Sequence, residues 1–165
     1  MDRRLLLKGL LAGSTAWVAM GQLGRTAVAA PSMVEKLTRS EEEWTHMLTK
    51  EQFAVLRREG TEAPFTSPLL DEHRPGQFVC AGCGLALFTT DQKFDSGTGW
   101  PSFFDVIPGH VDTKTDHKLV AARTEYHCAR CGGHQGHVFN DGPAPTGLRY
   151  CNNGIALKFV PTAEG

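Results

Sequence analysis

The sequence lacks the features that place a protein permanently in a membrane or on a nucleic acid. It contains no internal repeat, no low-complexity segment and no long run of like charges. The apolar stretch at 9–21 is shorter than the roughly 20 residues that a membrane-spanning helix needs. Residues 30–165 include 13 basic and 17 acidic residues, a net charge of −4 with histidine neutral. Phosphate neutralisation requires clustered lysine and arginine, so we expect no nucleic-acid partner and no stable membrane insertion.

The first 29 residues have the pattern of an export signal. A twin arginine, Arg3-Arg4, precedes the apolar stretch, and Ala27-Val28-Ala29 supplies the small residues of a cleavage site. This arrangement resembles a bacterial Tat signal, so we expect residues 1–29 to be removed and the protein to be periplasmic. An uncleaved amphipathic anchor is the alternative. The remaining segment, 30–165, is long enough for a single compact domain.

The five cysteines divide into two pairs and one single residue. Cys80-Ala81-Gly82-Cys83 and Cys128-Ala129-Arg130-Cys131 are Cys-x-x-Cys pairs, followed by Gly84 and Gly132 respectively. Two such pairs can supply four thiolates to a tetrahedral Zn²⁺ ion. We expect glycine after each pair because a Cβ would crowd the turn beneath the metal. Two disulfides are the alternative, although a disulfide within one pair closes a very small loop and stabilises little.

The pattern of apolar and polar residues predicts a mainly β fold, a small antiparallel core of two sheets with short N-terminal helices. Two capping boxes, Ser40-Glu41-Glu42-Glu43 and Thr49-Lys50-Glu51-Gln52, predict two helices that cover the core from 40 to 60, the second ending at Gly60. Prolines predict an extended segment from 61 to 75. The catalytic core, which the zinc site would cross-link, is expected to span 76–161. Short apolar segments predict its strands at 77–79, 85–88, 109–111, 119–122, 125–127, 137–139, 148–151 and 155–160.

Three further segments carry residues suited to catalysis. They are a glycine-rich loop that presents Trp100, a turn that contains His134 and His137, and the segment around the unpaired Cys151. An unpartnered thiol accompanied by histidines is a candidate nucleophile. The plainer interpretations are a small buried cysteine, two histidines in a turn and a core aromatic residue.

Taken in this order with both Cys-x-x-Cys pairs, these segments resemble the type B methionine sulfoxide reductases from about 44 to 161. The resemblance implies that Cys151 attacks the sulfoxide sulfur, methionine leaves, and Cys151 becomes a sulfenic acid. It also implies specificity for the R epimer, oxidised methionine in proteins or peptides as substrate, and a structural Zn²⁺. A thioredoxin-like thiol would act as the reductant. We expect a monomer.

The resemblance also implies roles for residues around Cys151. A sulfoxide oxygen leaves only after protonation, and His137 and His134 can supply the proton or hold a water that does so. Asn153, two positions after Cys151, is expected to orient the site. Arg149 could favour the thiolate, but we expect its side chain on the opposite face of the strand.

The remaining predicted contacts concern the substrate and the recycling step. Trp100 is expected to pack on the substrate methyl group and donate a hydrogen bond, and Phe139 to complete the apolar wall. Thr98 occupies the loop position where many family members have a resolving cysteine, so the chain is expected to be a one-cysteine form. Two other functions stay open, a non-catalytic zinc-ribbon interaction module and a hydrolase that uses a Cys-His pair.

Overall fold

The computed structural model describes residues 34–118 and 121–163, so the predicted export signal at 1–29 lies outside the described residues. Two helices come first, α1 (Glu41–Met47) and α2 (Lys50–Arg58). Within the described ranges the strands that follow are β1 (Gly76–Cys80), β2 (Ala86–Thr89), β3 (Lys93–Phe94), β4 (Ser102–Phe103), β5 (Val111–Asp116), β6 (Arg123–Cys128), β7 (His134–Phe139), β8 (Arg149–Asn152) and β9 (Leu157–Pro161). None of the described helices is long and apolar enough to cross a bilayer.

Both helices begin at the predicted capping boxes. The Ser40 hydroxyl accepts a hydrogen bond from the Glu43 N–H at 3.2 Å, and the Glu43 carboxylate accepts one from the Ser40 N–H at 2.7 Å. Thr49 and Gln52 make the same pair of bonds at the start of α2. Two main-chain donors that a helix end would leave unpaired are thereby satisfied.

The end of α2 differs from the prediction in its mechanism. Glu59, not Gly60, adopts the left-handed conformation, with a φ of 54°. The Gly60 N–H donates to the Ala54 carbonyl at 2.9 Å, and a Cβ on Gly60 would lie 2.9 Å from that oxygen. Glycine is therefore needed at position 60 for close approach to the helix end rather than for a positive φ.

The strands form two antiparallel sheets, which confirms the predicted fold class. The smaller sheet has the order β2-β1-β9, and the larger has the order β3-β4-β8-β7-β6-β5. The aromatic core lies between them, and the Phe88 and Phe103 rings stack with centroids 3.9 Å apart. Phe78 and Tyr126 meet this stack from β1 and β6 at centroid distances of 5.0 and 6.2 Å. The core therefore joins one sheet to the other through large buried rings.

Several predicted boundaries were wrong. The segment predicted as a strand at 109–111 is a strand only from Val111 onward. In the segment predicted at 119–122, Ala121 and Ala122 lie outside any strand. The predicted strand at 155–160 begins at Leu157. The extended segment at 61–75 contains a 3₁₀ turn, Pro68–Asp71. The two-residue strands β3 and β4 were not predicted, because two residues show no alternation.

Candidate active site and metal centre

The four paired cysteines converge on one point. The Sγ atoms all lie within 4.8 Å of one another. Cys80 and Cys131 are 3.7 Å apart, Cys83 and Cys128 are 3.5 Å apart, and all four are free thiols. Tetrahedral zinc with Zn–S bonds of about 2.3 Å separates its sulfurs by about 3.8 Å, whereas a disulfide requires about 2.05 Å. The residues present fit a four-coordinate metal and not the alternative of two disulfides.

The two Cys-x-x-Cys turns have the same main-chain geometry. The Gly84 N–H donates to the Cys80 carbonyl at 2.8 Å, and the Gly132 N–H donates to the Cys128 carbonyl at 2.9 Å. Both glycines have positive φ, 73° and 66°, and a Cβ on either would meet nothing within 4 Å. The predicted crowding beneath the metal stays a prediction. Glycine is required here by the left-handed backbone.

Helix α2 covers one side of the cysteine cluster. The Arg57 guanidinium lies 4.7 Å from the centre of the Trp44 ring and donates to the Cys131 carbonyl at 3.0 Å. The buried Gln135 amide donates to the Cys80 sulfur at 3.4 Å. Donors directed at sulfur stabilise thiolates, as a metal site of four cysteines requires.

Cys151 lies in β8, which is an interior strand of the larger sheet. It pairs with Ser102 of β4 on one side and with His137 of β7 on the other. The close approach of β7 to β8 depends on Gly136, because a Cβ there would lie 1.9 Å from the Cys151 carbonyl oxygen. The register thus places the unpaired thiol beside the second predicted histidine.

A cavity of about 140 Å³ lies over this pair. Its lining includes five of the residues selected from the sequence, namely Trp100, His137, Phe139, Cys151 and Asn153. The sequence analysis missed the other four, Thr61, Arg123, Gly136 and Asn152. The volume suits the end of one side chain rather than a large ligand.

Cys151 is half-buried among groups with opposing effects. Burial raises the pKa of the thiol, while the Arg149 charge and hydrogen bonds from Thr98 and Arg149 counteract the rise. The prediction that Arg149 points to the opposite face was wrong, because residues two positions apart on a strand share a face. Asp141 accepts two hydrogen bonds from the Arg149 guanidinium, at 2.8 and 2.9 Å.

His137 is held by a carboxylate. Its Nε2 lies 2.8 Å from Asp116 Oδ2, which also accepts a hydrogen bond from Arg123 Nη2 at 2.7 Å. The main-chain N–H of Lys118 and the His137 ring hold the pKa of Asp116 below its ordinary range. Asp116 therefore stays ionised at neutral pH and fixes the imidazole ring of His137.

The other predicted histidine is placed differently. His134 is buried and its Nδ1 lies 2.7 Å from Glu125 Oε1. Its ring centre is 5.6 Å from that of His137, but His134 is not among the residues that line the Cys151 cavity. Burial lowers the pKa of His134.

The side chains of Trp100 and Asn153 are both fixed by the segment around Glu62. The Trp100 indole N–H donates to the Glu62 carbonyl at 3.1 Å, and Asn153 Oδ1 accepts from the Glu62 N–H at 3.1 Å. The Glu62 carboxylate accepts from the N–H groups of Gly154 and Ile155, at 2.5 and 3.0 Å. The indole N–H is thus hydrogen-bonded within the protein, and the ring of Trp100 lines the cavity.

Comparison with known proteins connects this site to one family. A family model described as the SelR domain matches residues 48–161. The chain is 53% identical over 128 residues to a protein of Bradyrhizobium diazoefficiens, which covers 77% of this chain and 92% of that protein. It is 53% identical over 137 residues to one of Methanosarcina barkeri, with coverage of 82% and 94%.

A third relative, from Leptospira interrogans, is 50% identical over 125 residues and covers 75% of this chain and 95% of its own length. All three relatives bear the name peptide methionine sulfoxide reductase MsrB. The family match extends from the end of α1 to the last residue of β9, and so includes both cysteine pairs and the whole Cys151 cavity. The chain belongs to the SelR-domain family, the type B methionine sulfoxide reductases.

Proposed function

We propose that the protein reduces methionine (R)-sulfoxide in oxidised proteins to methionine, with Cys151 as the nucleophile. The observation that carries the proposal is the pairing of Cys151 with His137 across two strands, beneath a small cavity lined by Trp100. A thiol, a proton donor and an aromatic wall are the groups that reduction of a thioether sulfoxide requires. Selectivity for the R epimer rests on membership of the type B family.

The net reaction transfers one oxygen atom from sulfur to sulfur. The Cys151 sulfur attacks the sulfoxide sulfur and forms an S–S bond, and the S–O bond of the substrate breaks as its protonated oxygen leaves as water. Water then attacks the Cys151 sulfur, which breaks the S–S bond and releases methionine. Methionine sulfur is reduced by two electrons, and Cys151 is oxidised by two electrons to a sulfenic acid. Thiol and sulfoxide thus become sulfenic acid and thioether, with no further reactant.

His137 is the better candidate for the proton donor. It lines the cavity, and Asp116 fixes its ring through Nε2. His134 is the weaker candidate because burial lowers its pKa, which leaves its ring neutral near pH 7. We assign His134 to the support of β7, to which the buried Glu125 binds it.

Three further residues shape the substrate site. Trp100 and Phe139 provide apolar walls for the S-methyl group, and the Arg149 guanidinium lies 4.4 Å from the centre of the Phe139 ring. Asn153 orients the segment after Cys151, because its Nδ2 donates to the Gln135 carbonyl at 3.0 Å.

The metal at the four-cysteine site is proposed to be a structural Zn²⁺. Cys80, Cys83, Cys128 and Cys131 would hold it, and a closed set of four thiolates supports folding rather than catalysis. When bound, zinc supplies a cross-link between the two sheets, since Cys80 ends β1 and Cys128 ends β6.

Recycling is proposed to need an external thiol. With four cysteines committed to the metal and Thr98 beside Cys151, the chain offers no resolving thiol. A thioredoxin-like dithiol attacks the sulfenic sulfur and releases water. Its second thiol then frees Cys151 and leaves an oxidised disulfide on the reductant. The catalytic unit is proposed to be a monomer.

We also propose that residues 1–29 direct Tat export and that 30–165 form one periplasmic domain, with 40–60 as its helical cover. Replacement of Arg3-Arg4 by lysines should retain the protein in the cytoplasm, because both arginines define the signal. Cell fractionation with an antibody decides the matter. Equal periplasmic amounts of variant and wild type would contradict the assignment.

The function is tested by single-turnover reduction of a racemic methionine sulfoxide peptide, with each epimer assayed separately. The purified protein should consume the R epimer and form one methionine per chain without added thiol, and Cys151→Ser should form none. Thr98→Ser is the matched control and should keep activity. Consumption of the S epimer instead of the R epimer, or activity that survives Cys151→Ser, would refute the assignment. No reduction of either epimer would favour a non-catalytic zinc-ribbon module.

A further inference from the structure

A second cavity lies beside the Cys151 cavity and shares Trp100 with it. Its volume is about 250 Å³, and it lies between the segment at 61–75 and the glycine-rich loop at 94–101. Its large apolar lining residues are Phe65, Leu70, Phe94, Trp100 and Pro101. We call this recess the Phe65 groove. No residue of the groove other than Trp100 has a part in the chemistry proposed above.

Phe65 is exposed and held in an unusual backbone conformation. It is 70% exposed, the highest value among the described large apolar residues that face solvent. Its φ of 63° lies in a region that residues with a Cβ rarely adopt. Strain of this kind persists where the surrounding structure enforces it, and it is concentrated at ligand sites.

The surrounding structure enforces this conformation through the loop that carries Trp100. The Phe65 N–H donates to the Gly99 carbonyl at 2.7 Å. A Cβ on Gly99 would lie 2.9 Å from the Phe65 ring, so the ring packs on bare backbone. Phe65 is thus fixed next to the residue that walls the Cys151 cavity.

Two of the three charged residues that line the groove, Asp71, Lys93 and Asp95, are hydrogen-bonded within the protein. Lys93 Nζ donates to the Leu70 carbonyl at 2.7 Å, and Asp95 Oδ1 accepts from the Gly97 N–H at 2.8 Å. Asp71 and His73 also line the groove and are exposed, and the exposed ring of Phe65 is its most accessible large apolar group. A partner of apolar character fits this surface.

We propose that the Phe65 groove binds a residue adjacent to the oxidised methionine in a polypeptide substrate and favours an apolar side chain there. The inference rests on the proposed function, and it names a substrate preference for the same site. Neighbouring Cα atoms are 3.8 Å apart, so a residue next to the bound sulfoxide lies close to the wall that Trp100 contributes to both cavities. A concave recess of side-chain size suits a flexible peptide better than the flat face of a folded reductase.

The test compares two acetylated, amidated tripeptides in single-turnover reactions without reductant. One has leucine on both sides of methionine (R)-sulfoxide, and the other has glycine. The wild type should reduce the leucine peptide about tenfold more efficiently, the effect of partial burial of one apolar side chain. Phe65→Ser should bring the ratio close to one, and Phe65→Leu should preserve most of it. Met47→Ser is the matched control, because Met47 is 51% exposed on α1, and it should keep the full ratio.

Each contrary outcome has a distinct meaning. Equal rates for both peptides with the wild type overturn the inference without any variant. If Phe65→Ser lowers the reduction rates of both peptides by the same factor, the inference is overturned in favour of a structural role for the ring. An unchanged ratio in Phe65→Ser, with a loss only in a separate multiple-turnover assay driven by thioredoxin, overturns it in favour of reductase docking. Failure of the wild type to reduce either peptide would instead refute the proposed function.

Discussion

At the scale of single residues, the thiol of Cys151 is governed by a balance between burial and charge. Burial raises its pKa, Arg149 and Thr98 oppose the rise, and Asp141 adds to it. The free protein therefore holds Cys151 mainly as a thiol near neutral pH, and its nucleophilic form grows as the pH increases. An enzyme that acts on a neutral sulfoxide gains from a proton kept near the reacting sulfur.

The rate of Cys151 alkylation by iodoacetamide should therefore rise with pH, with a midpoint above that of a free cysteine. Arg149→Met should move the midpoint further up because a nearby positive charge is lost. Asp141→Asn should move it down because a negative charge is lost. Peptide mapping of the zinc-loaded protein measures the rate at this residue, and Arg58→Met, on the exposed end of α2, is the control. Shifts of the same sign in both variants would contradict the balance described.

Substitution of the proton donor has a larger expected effect on chemistry. His137→Gln should slow the sulfoxide-cleaving step by about two to four orders of magnitude, the usual range for lost general acid catalysis. Asp116→Asn should slow it less, since the ring remains but loses its anionic partner. Single-turnover rates across pH measure both effects. A near-normal rate for His137→Gln would remove this residue from the acid role, and a larger loss in His134→Gln would transfer the role to His134.

Much of the cavity was predictable from the sequence because its residues occur in a few short motifs. Trp100, His137 and Cys151 come from three such motifs, and the structure brings all of them to one cavity. Asp116 and Arg123 could not be found in this way. They meet only because β5 and β6 pair, where Asp116 opposes Arg123 in the register, and neither belongs to a recognisable pattern.

At the scale of secondary-structure elements, the two Cys-x-x-Cys turns are built on left-handed glycines. Gly84→Asn should destabilise the zinc-loaded protein less than Gly84→Ala, because asparagine tolerates positive φ better than alanine does. Alanine should cost about 1 kcal/mol. Urea unfolding in the presence of zinc gives both values. If crowding by a side chain were the cause, the bulkier asparagine would be the worse substitution.

The helices were predicted more accurately than the strands, and the reason is local. A capping box is complete within four residues, so Ser40 and Thr49 identify their helix starts without tertiary information. The strands β3 and β4 exist only through pairing, since β4 lies between β3 and β8. Two-residue strands have no periodicity of their own, and the sequence could not reveal them.

At the scale of the whole molecule, the proposed zinc joins the two sheets where the aromatic core ends. Cys128→Ser should lose the metal and unfold the domain, because the binding energy of a structural metal contributes to folding. Metal analysis with circular dichroism measures both properties. Cys151→Ser is the matched control, since it removes a thiol outside the cluster, and it should retain metal and fold. A folded, active Cys128→Ser protein without metal would contradict the structural role.

The position of β1 in the smaller sheet sets the order in which the chain can be completed. β1 lies between β2 and β9, and Gly76 at its start pairs with Pro161 near the end of the chain. The centre of that sheet therefore forms only when β9, which follows all the other described strands in the sequence, has joined β1. Contacts between such distant segments slow folding, so the smaller sheet is expected to be the last part of the domain to reach its native structure.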